Sequence, residues 1–127
     1  NKNLIVFFFP KADTSGCTTE ALAFSKLKKE FENHETIIIG ISKDNPDKQK
    51  KFKEKHNLNC ILGADHETDI CEQYGVWVEK SMYGRKYMGI QRTTFFINKK
   101  GEIKFVWPKV KVNGHAEDVL KKVKELN

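Results

Sequence analysis

A chain of 127 residues, 39% of them hydrophobic, is long enough for one domain with its own core and too apolar for a disordered segment. No apolar run approaches the ~20 residues that cross a bilayer, and three cysteines with no CxxC pair suit a reducing compartment better than a disulfide scaffold or a metal site. A net charge of +6 admits a nucleic-acid partner, but in the lysine-rich stretches Lys48–Lys55 and Lys99–Lys111 aromatics are not interleaved with base-reaching side chains. These stretches read as solvated basic faces, and neither a nucleic-acid nor a membrane partner is expected.

The first element is an unbroken apolar run, Leu4–Phe9, ended by Pro10. A run of this kind reads as a strand buried on both faces, as in the middle of a parallel sheet. A short polar loop with Thr14, Ser15, Gly16 and Cys17 follows, and then a helix whose apolar face is Ala21, Phe24, Leu27 and Phe31. Thr36–Ile41 reads as a second buried strand. SKDNPD then breaks the chain, with Asp44 or Asn45 as a helix cap, and Lys48–His56 forms a surface helix anchored by Phe52. Cys60–Leu62 is a short strand and Thr68–Tyr74 a short helix ending near Gly75.

Val76–Tyr87 lacks clear periodicity and is expected as a long surface loop flanking a site. Met82, Tyr83, Tyr87 and Met88 either line the mouth of that site or cover the core. Arg92–Ile97, a turn at Asn98–Gly101 and Glu102–Trp107 make a hairpin, with Pro108 marking the end of an edge strand. A helix from His115 to Leu126 closes the chain, with the stripe Ala116, Val119, Leu120, Val123 and Leu126. The order β-α-β-α-β-α-β-β-α predicts a single thioredoxin-like α/β domain over residues 1–127. It has a mainly parallel central sheet, an antiparallel C-terminal hairpin and helices on both faces. The four histidines fall at helix ends and turns, where surface or capping roles are expected, and Trp77 and Trp107 are expected to pack.

Within that layout Cys17 stands where a central strand hands over to a helix. The first helical turn has backbone N–H groups without intrahelical partners and a partly positive dipole end, both of which stabilise a thiolate. Gly16 lets the backbone come close to a ligand, and the Thr14 hydroxyl can donate and accept. The competing assignment is a small, inert core thiol.

Several blocks carry a family resemblance. PKADTSGC, with Pro10, Thr14 and Cys17 at their spacing, resembles the peroxiredoxin active-site motif. GCTTEALAFSKL, EKSMYGRKYMGIQRTTF and VWPKVKVNGHAEDVL are similar to the bacterioferritin comigratory protein, or peroxiredoxin Q, subfamily, and together span nearly the whole chain. The resemblance implies a thiol-dependent peroxidase that reduces hydrogen peroxide and organic hydroperoxides without metal, haem or flavin. By position, Cys17 corresponds to the peroxidatic cysteine and Thr14 to the threonine that holds thiolate and peroxide. Pro10 corresponds to the shielding proline, Arg92 to the arginine that stabilises the thiolate and the leaving oxygen, and Glu20 to a residue that orients that arginine.

The sequence also departs from the pattern. Ser15 replaces the usual proline, and the N-terminal hairpin of the family is missing before the first strand, so a truncated start is expected. The positions of the family's resolving cysteines are Leu22 and Lys53. The resemblance therefore implies a one-cysteine enzyme whose sulfenic acid is reduced by thioredoxin, glutaredoxin, glutathione or another external thiol. Cys60 or Cys71 as a resolving cysteine stays open. A cytoplasmic monomer is expected, an organelle not being ruled out by the truncated start. The alternatives are a thiol redox sensor on the same site and a non-catalytic basic thioredoxin-fold binding module.

Overall fold

The central strand of the protein, β1 (Asn3–Phe8), alternates its side chains between two cores in a computed structural model that describes residues 1–126. The last position of the expected domain, residue 127, lies outside the described residues. Ile5 and Phe7 point into one core with α1 (Ser15–Lys26), α2 (Lys28–Asn33) and α5 (His115–Leu126). Val6 and Phe8 point into the other, with α4 (Ile70–Gln73) and a second small sheet. Helices on both faces follow from this, because a strand apolar on both sides must be covered twice.

The five-stranded sheet has the order β3-β2-β1-β6-β7, with β2 at Thr36–Ser42, β3 at Ile61–Ala64, β6 at Thr93–Ile97 and β7 at Ile103–Trp107. β1, β2 and β3 run parallel, whereas β6 runs antiparallel to β1 and β7 antiparallel to β6. The fold is thus thioredoxin-like and mixed, with a parallel half and an antiparallel C-terminal half. Close packing in the parallel half depends on Gly40, opposite Phe7 in the register. A Cβ there would lie 2.6 Å from the Phe7 ring, so only glycine lets the Phe7 ring lie across β2.

Several expectations are corrected. The first helix breaks at Leu27, whose N–H is shared between the carbonyls of Ala23 and Phe24, so that Phe31 belongs to a separate short helix. The stretch expected as a surface loop, Val76–Tyr87, is instead most of a β-hairpin: β4 (Trp77–Met82) pairs antiparallel with β5 (Arg85–Ile90). Tyr83 and Gly84 form its two-residue turn with φ of 52° and 79°, the left-handed pair that a tight hairpin turn requires. Its tip is exposed, Tyr83 at 98% and Met82 at 56%, so neither side chain covers the core. Finally, His115 is buried rather than superficial and pairs through Nε2 with Thr94 Oγ1 at 2.8 Å.

The basic helix begins earlier than expected. α3 (Pro46–Lys55) has proline in its first turn, and Asn45 Oδ1 accepts the Lys48 N–H at 2.8 Å as its cap. Asp44 does not cap the helix. Its carboxylate instead accepts the Ala12 N–H at 2.7 Å and the Ser42 hydroxyl at 2.7 Å. The bond to Ala12 ties the loop after β1 to the end of β2.

Candidate active site

Two neighbouring strands deliver the site. After β1 the chain passes Phe9 and Pro10, turns at Asp13 in a left-handed conformation (φ 64°), and enters α1 with Thr14 at the extended N-cap position. Asp13 is held there by Lys55 at 2.8 Å and His56 at 2.7 Å, which also hold its carboxyl below the ordinary carboxylate range. Cys17 is therefore the third residue of α1, inside the first turn and 1% exposed. Thr18 N–H makes the first helical bond, to Thr14 O.

Arg92 precedes β6. In the ladder, Thr94 faces Phe7 and Phe96 faces Ile5. Arg92 has the same parity as Thr94 and Phe96, so its side chain emerges on the face covered by α1. There Nη2 donates to Cys17 Sγ at 3.2 Å, and Nη1 donates to Glu20 Oε1 at 2.7 Å. One planar fork thus spans thiol and carboxylate, which an ammonium could not do. The approach is close at Gly16: a Cβ at that position would stand 3.2 Å from Nη2, tighter than ordinary van der Waals contact.

Glu20, one turn after Cys17, is 1% exposed, and its Oε2 has no hydrogen-bond partner. Burial pushes its carboxyl up to about 7, against the pull of Arg92. Arg92 loses by burial but gains more from Glu20 and Cys17, so its guanidinium is held charged.

Thr14 and Pro10 flank the same loop. The Thr14 hydroxyl donates to Lys11 O at 2.7 Å, so its hydrogen is committed and its oxygen can act toward a ligand only as an acceptor. Cys60 and Cys71 are separate from this cluster. Cys60 accepts from the Ser25 hydroxyl at 3.5 Å, and burial raises its thiol. Cys71 lies in the core on the other face of the sheet, where burial, then Asp65, pushes its thiol up to about 12. Both are poor nucleophiles in place. All three cysteines are free.

Sequence reasoning missed Lys80 of β4, whose hold on its proton is lowered by burial and then by Arg92. It was missed because the hairpin was missed. The available signal was Tyr83-Gly84 flanked by Val78, Lys80, Tyr87 and Gly89 at period two.

Comparison with known proteins decides the family. The sequence matches the AhpC/TSA family over residues 1–106. The putative peroxiredoxin bcp of Coxiella burnetii is 46% identical over 119 residues, covering 94% of this chain and 79% of that one. The chain belongs to the AhpC/TSA family, in its bacterioferritin comigratory protein/peroxiredoxin Q branch. Peroxiredoxin Bcp of Bacillus subtilis is 42% identical over 126 residues, covering 99% of this chain and 80% of the relative. A mutant of Xanthomonas campestris peroxiredoxin Q superposes with a TM-score of 0.95 at 37% identity, over 99% of this chain and 80% of that structure. This peroxiredoxin is a thiol-dependent peroxidase acting through a peroxidatic cysteine. Neither Leu22 nor Lys53, the positions of the family's resolving cysteines, is a cysteine, which fits a one-cysteine mechanism. Among the described residues, no helix is long and apolar enough to cross a membrane.

Proposed function

We propose that Cys17 is the peroxidatic nucleophile and reduces hydrogen peroxide and organic hydroperoxides. The observation that carries this is the 3.2 Å contact between Arg92 Nη2 and Cys17 Sγ in the first turn of α1. The thiolate sulfur attacks the terminal peroxide oxygen, the S–O bond forms as the O–O bond breaks, and the sulfur becomes a sulfenic acid. The other oxygen departs with the electron pair and leaves as water or alcohol once protonated. Arg92 stabilises the thiolate and the negative charge growing on the leaving oxygen.

Glu20 orients Arg92 from its far side. Thr14 accepts the hydrogen of the incoming peroxide, and Pro10 shields the sulfur from bulk water. The sulfenic acid is then attacked by an external thiol (thioredoxin, glutaredoxin or glutathione), which expels water, and a second thiol releases Cys17 from the mixed disulfide. The enzyme works as a cytoplasmic monomer.

The test is peroxide consumption with dithiothreitol or thioredoxin as reductant. Cys17→Ser should abolish it, and full activity in that variant overturns the assignment. One equivalent of peroxide should leave a dimedone-reactive sulfenic acid on Cys17. A stoichiometric intramolecular disulfide, seen by mass spectrometry, would instead make Cys60 or Cys71 a resolving cysteine.

A further inference from the structure

Two acids contact the same guanidinium. Arg92 Nη2 reaches Cys17 Sγ at 3.2 Å and Nη1 reaches Glu20 Oε1 at 2.7 Å, and Cys17 and Glu20 are each 1% exposed. A thiolate beside the guanidinium makes this cluster neutral. A thiolate and a carboxylate together would bury a negative charge that no cation balances. Glu20 Oε2 is enclosed and has no hydrogen-bond partner. A carboxylate spreads its charge over both oxygens and calls for donors at each, so an enclosed, unpartnered oxygen costs far less in a carboxyl that keeps its proton.

No second cation relieves Glu20. Among the described residues its one ion pair is with Arg92. On α5, His115 stands edge-on to Phe24 of α1 with ring centroids 5.8 Å apart, and burial holds its imidazole down to about 4, so it is neutral near pH 7. No contact joins Lys80 of β4 to Glu20 among the described residues. Burial against the pull of Arg92 already lifts the carboxyl to about 7. A thiolate on the other arm of the fork makes its ionisation harder still, because the two acids titrate as a pair.

We infer that Cys17 and Glu20 share one proton across Arg92: the carboxyl keeps it while the sulfur is a thiolate, and gives it up once oxidation has removed the charge from sulfur. The inference rests on the peroxidase function proposed above, and it makes Glu20 a positioning residue that acts through Arg92. Sulfur gains the terminal oxygen and is oxidised as the O–O bond breaks, and the leaving oxygen takes the bonding pair. Thiolate, hydroperoxide and carboxyl become sulfenic acid, water or alcohol, and carboxylate, with no net proton drawn from solvent. Arg92 faces one anion before the step and one after it.

The experiment is infrared difference spectroscopy at about pH 7.5 on the reduced protein and after one equivalent of hydrogen peroxide. Oxidation should remove most of a protonated-carboxyl C=O band that Glu20→Gln lacks. Cys17→Ser, which has no thiolate, should show most of that band lost without any oxidant. Stopped-flow oxidation gives a second reading. The ratio of the Glu20→Gln to the wild-type rate constant should rise about tenfold between pH 6 and pH 9, as the wild-type carboxyl ionises and competes for Arg92. No such band in reduced wild type, a band that survives oxidation or stays full in Cys17→Ser, or a ratio that is flat or falls with pH overturns the inference. A wild-type Cys17 that peroxide leaves unoxidised, by mass spectrometry, refutes the peroxidase function itself.

Discussion

Gly16 and Arg92 are in near contact: a Cβ on residue 16 would stand 3.2 Å from Nη2. The glycine lies inside α1, where alanine would ordinarily favour the helix by about 0.5–1 kcal/mol. Gly16→Ala should therefore keep or raise the unfolding midpoint while displacing the guanidinium by a few tenths of an ångström. We expect about a tenfold slower oxidation of Cys17. Stopped-flow kinetics and thermal unfolding on the same sample check both halves, and an unchanged rate shows that Nη2 can yield without cost.

Arg92→Lys keeps a positive charge but cannot reach sulfur and carboxylate with a planar fork. The peroxide rate constant should fall by about 100- to 1,000-fold, the usual loss when one donor to a developing oxyanion is removed. A rate within a factor of a few of wild type would show that charge alone suffices.

Glu20 sets a pH dependence of the fold. Its carboxyl is raised from 4.5 to about 7, so its contribution favours the native state fully below pH 4.5 and is lost as pH rises through about 7. Glu20→Gln keeps an oxygen for Nη1 and has nothing to ionise. Relative to wild type, the variant should gain up to about 3 kcal/mol between pH 4.5 and 8. Urea unfolding at the two pH values measures it, and a pH-independent difference is the contrary outcome.

His115 acts at the acid end. Burial, with Arg92 adding to it, holds its imidazole down from 6.5 to about 4. Its contribution is present above pH 6.5 and is lost as pH falls through about 4, because the unfolded chain takes the proton first. Wild type should lose about 3 kcal/mol from this group over that range. His115→Gln, which retains a partner for Thr94, should lose correspondingly less, as urea titrations at pH 7 and pH 4 would show.

The order of strands and helices could be read from the chain because the apolar runs Leu4–Phe9 and Thr36–Ile41 admit only a doubly covered strand. Cys17 could be placed for the same reason, since the change of period from strand to helix falls at Pro10–Ser15. The hairpin of Trp77–Met82 and Arg85–Ile90 escaped because it is a two-stranded ribbon with mixed side chains on both faces. Period two is weak in such a segment, and Lys80 went unnoticed with it. His115 looked like a cap residue in sequence, and only the tertiary position of Thr94 turns it inward. The reach of Arg92 to Cys17, 75 positions apart, is a property of the sheet and has no local signature.

Thr93 pairs with Phe8 in the ladder between β1 and β6, so the guanidinium is carried one residue from this junction and the sulfur nine residues from it. A slip of a single position there would turn Arg92 toward the α4 side and leave the sulfur without its cation. Turnover is consequently a reporter of correct strand alignment. A refolding intermediate with all its helices formed but this ladder unmade has no partial activity to show.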